Sequence, residues 1–484
     1  MRLNLATVSA VAIAAAMFHQ PVQAADVNEQ GAKELQGSLT KLMPQKAVEK
    51  GVVAVSPQGD KYQILFDLPK LIGVFDNPHF SLTQISPMTL FAKPADGGLW
   101  QVDGTNDFAF SSTGKDLEGK ASDFSYTIAK VAYNGLFDPA ISYFRSGDFT
   151  SGPGSIKTTA GEEKMDASFS GMNYTLSSVA GAAAGAVDFR GSGSIADFKQ
   201  SIATPQAPFE FTAESIDIDA GASGVNAQKL RDLFLFIADR ADKDKLETAE
   251  IEELKGHVRG AMPFFTSFDE KIDLQKSKVS TAMGDVSAET VSYLLKANGP
   301  LEAAEIGFGL GAKELALADG MVPPIYAPFV PTVADVQLSV PNLNLQAPID
   351  VMLNADYSKD KPLSDEESAA MGLSVFPGGS YTVNINKSVV TSPSYDLEIS
   401  GKVTGSLMAP DRVQVDTVIL ARDFDKTMAA VQKLGQADPQ AMQAFLGMTM
   451  VKGLAKTDAD GRSRWEVSVD QNRKITINGN LLPF

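Results

Sequence analysis

Tyr62-Gln63-Ile64-Leu65-Phe66-Asp67-Leu68 is the stretch on which the fold turns. Tyr62, Ile64, Phe66 and Leu68 occupy every second position, and a period of two places successive side chains on opposite faces of a strand. Just upstream the period is different. Leu35, Leu39 and Leu42 recur at helical spacing, so Asp26–Lys50 reads as a helix that Pro44 stops or kinks. From Gly51 onward the chain therefore changes from helix to sheet.

The alternation continues downstream in Met88-Thr89-Leu90-Phe91, Trp100-Gln101-Val102, Phe108-Ala109-Phe110 and Phe124-Ser125-Tyr126-Thr127-Ile128. Pro57-Gln58-Gly59-Asp60, Asp96-Gly97-Gly98 and Asp103-Gly104-Thr105-Asn106 read as the turns between them. The pattern is that of an antiparallel meander with one apolar and one polar face. It persists at lower hydrophobicity through 148–220, then gives way to a helical stretch at Ala227–Glu253, where Leu230, Leu233, Phe234 and Ile237 recur at three and four. Strands resume near Phe268.

Pro323-Pro324, Pro328 and Pro331 hold the chain extended and mark a connection. The expected organisation is a targeting segment at 1–24, a β-rich domain with helices at 25–317, a proline-rich connection at 318–331 and an α+β domain at 332–484. In the last of these, strands are expected at Asp335–Val340, Asn342–Leu353, Tyr381–Ile385, Tyr395–Gly401 and Val413–Leu420. Ser364 and Glu367 have capping-box spacing ahead of a short helix. Asp423–Leu434 and a segment beginning at Pro439 read as helices, and a hairpin follows from Trp465 to Gly479. The fold class is α+β: long antiparallel β-sheets with a few packed helices. The similar character of the strands suggests two similar β-rich halves.

The first residues carry a different message. Arg2 precedes a nearly uninterrupted apolar run from Leu3 to Phe18, and Val22-Gln23-Ala24 has the small-x-small form that signal peptidase accepts. The run is short for a membrane span, which takes about 20 residues. Export to the periplasm with cleavage near Ala24 is expected, leaving no transmembrane segment. Phe484 raises the idea of an outer-membrane barrel strand, but Pro483 and the interior helices argue against it.

The formal charge of -17 disfavours nucleic acid and anionic lipid headgroups as partners. With no cysteine, disulfides, thiolate chemistry, iron–sulfur clusters and thiolate zinc sites are excluded. Of three histidines, His19 belongs to the targeting segment, and His79 and His257 read as surface or capping residues. No G-x-S-x-G elbow accompanies them. Asp458-Ala459-Asp460-Gly461 resembles the start of a calcium loop, but Val469 stands where the twelfth-position carboxylate belongs, and a tight turn is the plainer reading. Gly307-Phe308-Gly309-Leu310-Gly311-Ala312 lacks the spacing of a dinucleotide loop. No catalytic, cofactor or metal residues are assigned.

Three segments carry a family resemblance: Ile399-Ser400-Gly401-Lys402-Val403-Thr404-Gly405, the helix Asp423–Leu434, and the closing Trp465–Leu481 with Ile477-Asn478-Gly479. In these the chain resembles an alphaproteobacterial family of exported proteins catalogued as a domain of unknown function. It is more distantly similar to long-sheet envelope proteins that shield acyl chains. The resemblance transfers no functional residue.

The expected role is non-catalytic: an envelope protein whose partner is an apolar or amphipathic ligand such as lipid, or a membrane complex. Alternating strands each offer one apolar face, and Ile64, Phe66 and Val415 are the candidates for lining a ligand groove. An assembly factor without a small ligand and a carboxylate-based hydrolase are the alternatives.

Overall fold

The computed structural model describes residues 27–40, 43–72, 80–115, 121–138, 143–204, 208–240, 243, 245–359 and 361–482. The targeting segment Met1–Ala24, His79 and Pro483-Phe484 lie outside them. The chain divides into two compact units, Met1–Phe268 and Asp269–Phe484.

The first unit opens with α1 (Glu29–Thr40) and α2 (Gln45–Glu49), separated at Pro44 as the sequence predicts. A hairpin of β1 (Val53–Gln58) and β2 (Lys61–Phe66) follows, then α3 (Leu68–Ile72), β3 (Phe80–Ile85), β4 (Met88–Pro94), β5 (Trp100–Lys115) and β6 (Ala121–Asp138). Pairing is antiparallel throughout, in the order β1–β2–β4–β5–β6. Beyond β6 two shorter strands run end to end in each position. β7 (Tyr143–Ser151) and β8 (Gly154–Ala160) both pair with β6. β10 (Gly171–Ala180) pairs with β7, and β9 (Glu163–Phe169) pairs with β8. Both then pair with β11 (Val187–Ala203), which pairs with β12 (Phe209–Val225).

The breaks between end-to-end strands sit level with irregularities in the long ones. Lys130 has φ 51°, and its amide donates to the Asp107 carboxylate at 2.8 Å. Asp197 has φ 51° and accepts from the Ser170 hydroxyl at 2.7 Å. Extra residues of this kind bend strands and add twist. They also change parity, so that Tyr126 and Ile128 before Lys130 keep the same face as Val131 and Tyr133 after it.

Asp103-Gly104-Thr105-Asn106, read from sequence as a turn, lies inside β5. Gly104 is there because backbones crowd: a Cβ would meet the Thr89 carbonyl at 2.9 Å and a Leu90 methyl at 2.8 Å. The long helical stretch expected at 227–253 is two helices, α4 (Ala227–Ala238) and α5 (Thr248–Ala261). Each has its own start signal: Asn226 accepts from the Lys229 amide, and Glu247 with Glu250 forms a capping box.

The core of the first unit lies between α1 and the β1–β6 end of the sheet. Leu35 and Leu39 of α1 pack with Tyr62, Ile64, Phe66, Trp100, Val102 and Phe137. The edge strand is blunted as well. Pro57 removes one donor from β1, and the Val55 amide donates to the Gln36 side chain.

The second unit begins within β13 (Ser267–Thr281) and continues through β14 (Gly284–Asn298), β15 (Ala304–Lys313), β16 (Ala316–Leu317), β17 (Val333–Leu343), β18 (Ser380–Thr391), β19 (Asp396–Ser406) and β20 (Ala409–Arg422). After β21 (Lys456–Thr457) come β22 (Ser463–Val469), β23 (Ile475–Ile477) and β24 (Asn480–Leu481). The order β14–β15–β17–β18–β19–β20–β22–β23–β24 is an unbroken antiparallel meander.

The proline-rich segment 318–331 does not separate domains. It is a loop inside this sheet, because β15 before it pairs directly with β17 after it. Asn342–Leu353, expected as a strand, ends β17 and then forms α6 (Gln346–Asn354). α7 (Asp365–Ser374) starts at Ser364 with the expected reciprocal capping box. α8 (Phe424–Leu434) and α9 (Pro439–Lys452) lie between β20 and β22. They close a small core with Ala421, Trp465 and Ile477, in which the Trp465 indole N–H donates to the Val451 carbonyl at 2.9 Å.

Candidate functional site

The register of the second unit sorts its side chains by face. Tyr293, Leu310 and Val336 stand abreast on β14, β15 and β17, and Leu295, Phe308 and Leu338 form the adjacent row. Ile385 extends the second row onto β18. Val383, Val403, Val415 and Val469 make a further row across β18, β19, β20 and β22. Ile399, Ile419 and Trp465 make the last, which runs under α8 and α9. The intervening positions face the other way and, apart from Leu294, Val418 and Leu420, are mostly small or polar, as at Ser292, Lys296, Gly307, Ser339, Asn384, Lys402, Asp416 and Ser468. They bond to one another, as Asn384 does to Ser339 at 3.3 Å and Ser468 to Asp416 at 2.5 Å.

One face is thus apolar across six strands from β14 to β20, which at about 4.8 Å per strand is a strip about 24 Å wide. The end beneath α8 and α9 is enclosed, and at the end beside α6 Ala304 and Leu343 are buried. Elsewhere the large side chains remain accessible: Phe308 and Val336 are each 38% exposed and Leu310 is 49% exposed. Such residues in mid-sheet are not an ordinary core, since an apolar sheet face is stable only when something covers it. The strip is uncharged along its rows, and Tyr293 meets Phe308 edge-on at 5.5 Å.

In the first unit the apolar face is filled at the α1 end, where Phe137 meets Phe144 edge-on at 5.1 Å. Toward β11 and β12, Phe198 and Phe211 remain half-buried. Burial pushes the Tyr126 and Tyr143 phenols up from their ordinary range, Tyr143 further through its neighbour Tyr174. Tyr133 is raised most, first by burial and then by Tyr143 and Asp148; its ring lies over the paired glycines Gly135 and Gly147, where a Cβ would collide with it.

The three residues expected to line a groove separate. Val415 is on the open strip, half-buried between Val403 and Val469. Ile64 and Phe66 are 0% and 3% exposed, in the core under α1. They present no surface to a groove, because the helix that sequence periodicity placed before them lies on their face of the sheet. The residues missed were Phe308, Leu310, Val336 and Leu338. Their signal was available in Gly307–Ala312, whose alternation of glycine with apolar residues is a strand with one bare face.

Two clefts are described in the structure. One of about 310 Å3 in the second unit is lined by Lys296, Glu305, Gln337 and Ser339 together with Leu294 and the strip residues Phe308 and Leu338. One of about 780 Å3 in the first unit includes Gln101, Asp103, Asn134 and Asp148. Asp103 is paired with Lys61 at 2.7 Å, and Asp148 accepts from Thr175 at 3.2 Å. In the turn before Trp465, Asp458 and Asp460 are both engaged by Arg462, which also pairs with Glu398 at 2.9 Å. His257 of α5 lies against Phe236 of α4, with ring centroids 5.0 Å apart and the rings tilted. Among the described residues no helix is long and apolar enough to cross a membrane, and no group of His, Cys, Asp or Glu has a metal-holding arrangement.

No family model, curated protein or solved structure matches this chain.

Proposed function

We propose that this protein is a non-catalytic, exported envelope protein that binds acyl chains along the open apolar strip of its second unit. The observation that carries this reading is the set of mid-sheet residues Phe308, Leu310 and Val336, apolar on three adjacent strands and accessible. The strip is about 24 Å wide, longer than the roughly 15 Å that the chains of one lipid leaflet span. A chain lying flat on it is covered on one side, which at about half of the full-burial value gives roughly 0.4 kcal/mol per CH2. Rows made mostly of valine, leucine and isoleucine suit a ligand that asks for few hydrogen bonds. The similarity expected between the two halves enters here too: each unit carries a one-sided antiparallel sheet with a helical cover at one end.

The alternative of an assembly factor is favoured by one feature, the exposure of Phe308, Leu310 and Val336 on the open surface of the sheet. An apolar segment of another envelope protein would then cover it.

The test is saturable binding of a fluorescent fatty acid by delipidated protein, with Val336→Glu and Leu310→Glu as variants. Wild-type binding lost in variants of unchanged circular dichroism supports the reading. Folded wild-type protein that neither binds the probe nor co-purifies with lipid refutes it in favour of the assembly role.

A further inference from the structure

A second apolar surface lies at the end of the second unit's sheet from which α8 and α9 arise, and it points outward. Pro439–Val451 of α9 contains no charged residue, in a chain of which 21% is charged. Apolar side chains occur on every side of the helix, yet only Ala441 is buried. Leu446 is 63% exposed, and Met450 one turn later is exposed as well. A helix that is apolar all round is ordinarily enclosed by protein or lipid. The inward side of α9 is accounted for by Val451, which packs with Trp465 and Ile477.

Beside α9 lies the proline-rich loop. The chain from Gly320 to Ala334 is also free of charge, and Pro323–Pro328 is exposed throughout, with Ile325 at 47%. The Tyr326 hydroxyl donates to the Asp438 carboxylate at 3.1 Å, and Asp438 is the residue that caps α9 by accepting from the Gln440 amide. Two neutral segments, far apart in sequence, are thereby joined at one place.

We propose that α9 and the Pro323–Pro328 loop form a lip that rests on a bilayer of electrically neutral lipid, next to the acyl-binding strip. The inference rests on that acyl-chain reading and adds the surface from which the chains come. Three features select lipid as the occupant. Isoleucine, leucine, methionine and proline with a tyrosine among them suit a bilayer interface, where a ring can keep its hydroxyl among headgroups. The inner side of α9 packs on the same apolar face that continues to Ile419 and Val415, so lip and strip share one helix. A second copy would bring another formal charge of -17 against the first, and anionic headgroups are repelled by the same field, whereas a neutral bilayer is not.

The experiment is flotation of the purified protein with phosphatidylcholine vesicles, and with vesicles of increasing phosphatidylglycerol content. Wild-type protein is expected to float with the first and progressively less with the second. Leu446→Glu combined with Met450→Glu, and separately Ile325→Glu, are expected to stay unbound while melting normally. Leu407→Glu, an exposed apolar residue in the β19–β20 turn at the opposite end of the strands, is expected to float like wild type. The lip is refuted if wild type ignores phosphatidylcholine, if the α9 and loop variants float undiminished, or if light scattering shows that the α9 variant merely splits a dimer. Fatty-acid uptake in free solution separates the two ideas. Protein that takes up fatty acid but ignores vesicles loses the lip alone; protein that floats but takes up no fatty acid loses the acyl-chain reading.

Discussion

Leu310→Gln and Ile64→Ala make an informative pair, because both remove an apolar side chain from a central strand and only one of them removes core. Ile64 is fully enclosed beneath α1. Its truncation deletes buried carbons and leaves a cavity, at a cost of about 2–5 kcal/mol. Leu310 keeps 49% of its exposure. Full burial of a leucine is worth about 1.5–3 kcal/mol, so the half that is covered places about 0.7–1.5 kcal/mol at stake. Glutamine at that position also meets solvent, so no polar group is stranded. Urea unfolding followed by circular dichroism measures both changes through the shift in midpoint. Ile64→Ala is expected to be the more damaging to stability, and Leu310→Gln the more damaging to fatty-acid binding. If Leu310→Gln costs about 3 kcal/mol or more, well beyond what half-burial allows, then Leu310 belongs to a closed core and the open strip does not exist.

Trp465→Ala removes the buried indole that holds α9 through the Val451 carbonyl; a loss of about 3–5 kcal/mol is expected, with earlier proteolysis in α8–α9 than in the first unit. Ser364→Ala breaks the capping box of α7 and should cost about 1 kcal/mol locally, read as faster amide exchange at Glu367 with little change elsewhere. Glu250 is held down to about 2 by hydrogen bonds from Lys243 and the Glu247 amide. A depressed carboxyl contributes stability that is present above its ordinary pKa near 4.5 and lost as pH falls toward about 2, so the α4–α5 pair should loosen in that window, detected by amide exchange, and Glu250→Gln should remove the pH dependence. Treatment with a chelator should leave the melting temperature unchanged, because Asp458 and Asp460 already have Arg462 as their cation; a marked fall would overturn that assignment.

Local chemistry made much of the fold legible before any contact was known. Period-two runs such as Tyr62–Phe66 and Tyr381–Ile385 are strands because alternation suits only a half-buried ribbon, although Leu68, which continues the first alternation, already belongs to α3. Pro44, Ser364 with Glu367, and Asp438 before Pro439 marked helix ends correctly because capping involves neighbours a few residues apart. The errors share one cause. Asp103-Gly104 has turn chemistry, but a close backbone from β4 needed that glycine inside a strand. The prolines at 323–331 have linker chemistry, but β15 and β17 pair across them.

What the sequence determined by itself was the class of element at each place and the existence of an apolar face on each strand. Tertiary structure decided which of those faces are covered. Ile64 and Val415 have the same alternating signature, yet α1 folds back over the first while the second lies in the row from Val383 to Val469, beyond the Trp465 end that α8 and α9 enclose. Coverage depends on where a helix lands after dozens of intervening residues have set the sheet's register and bend, and hydrophobic periodicity, being a property of neighbours along the chain, holds no record of that distance.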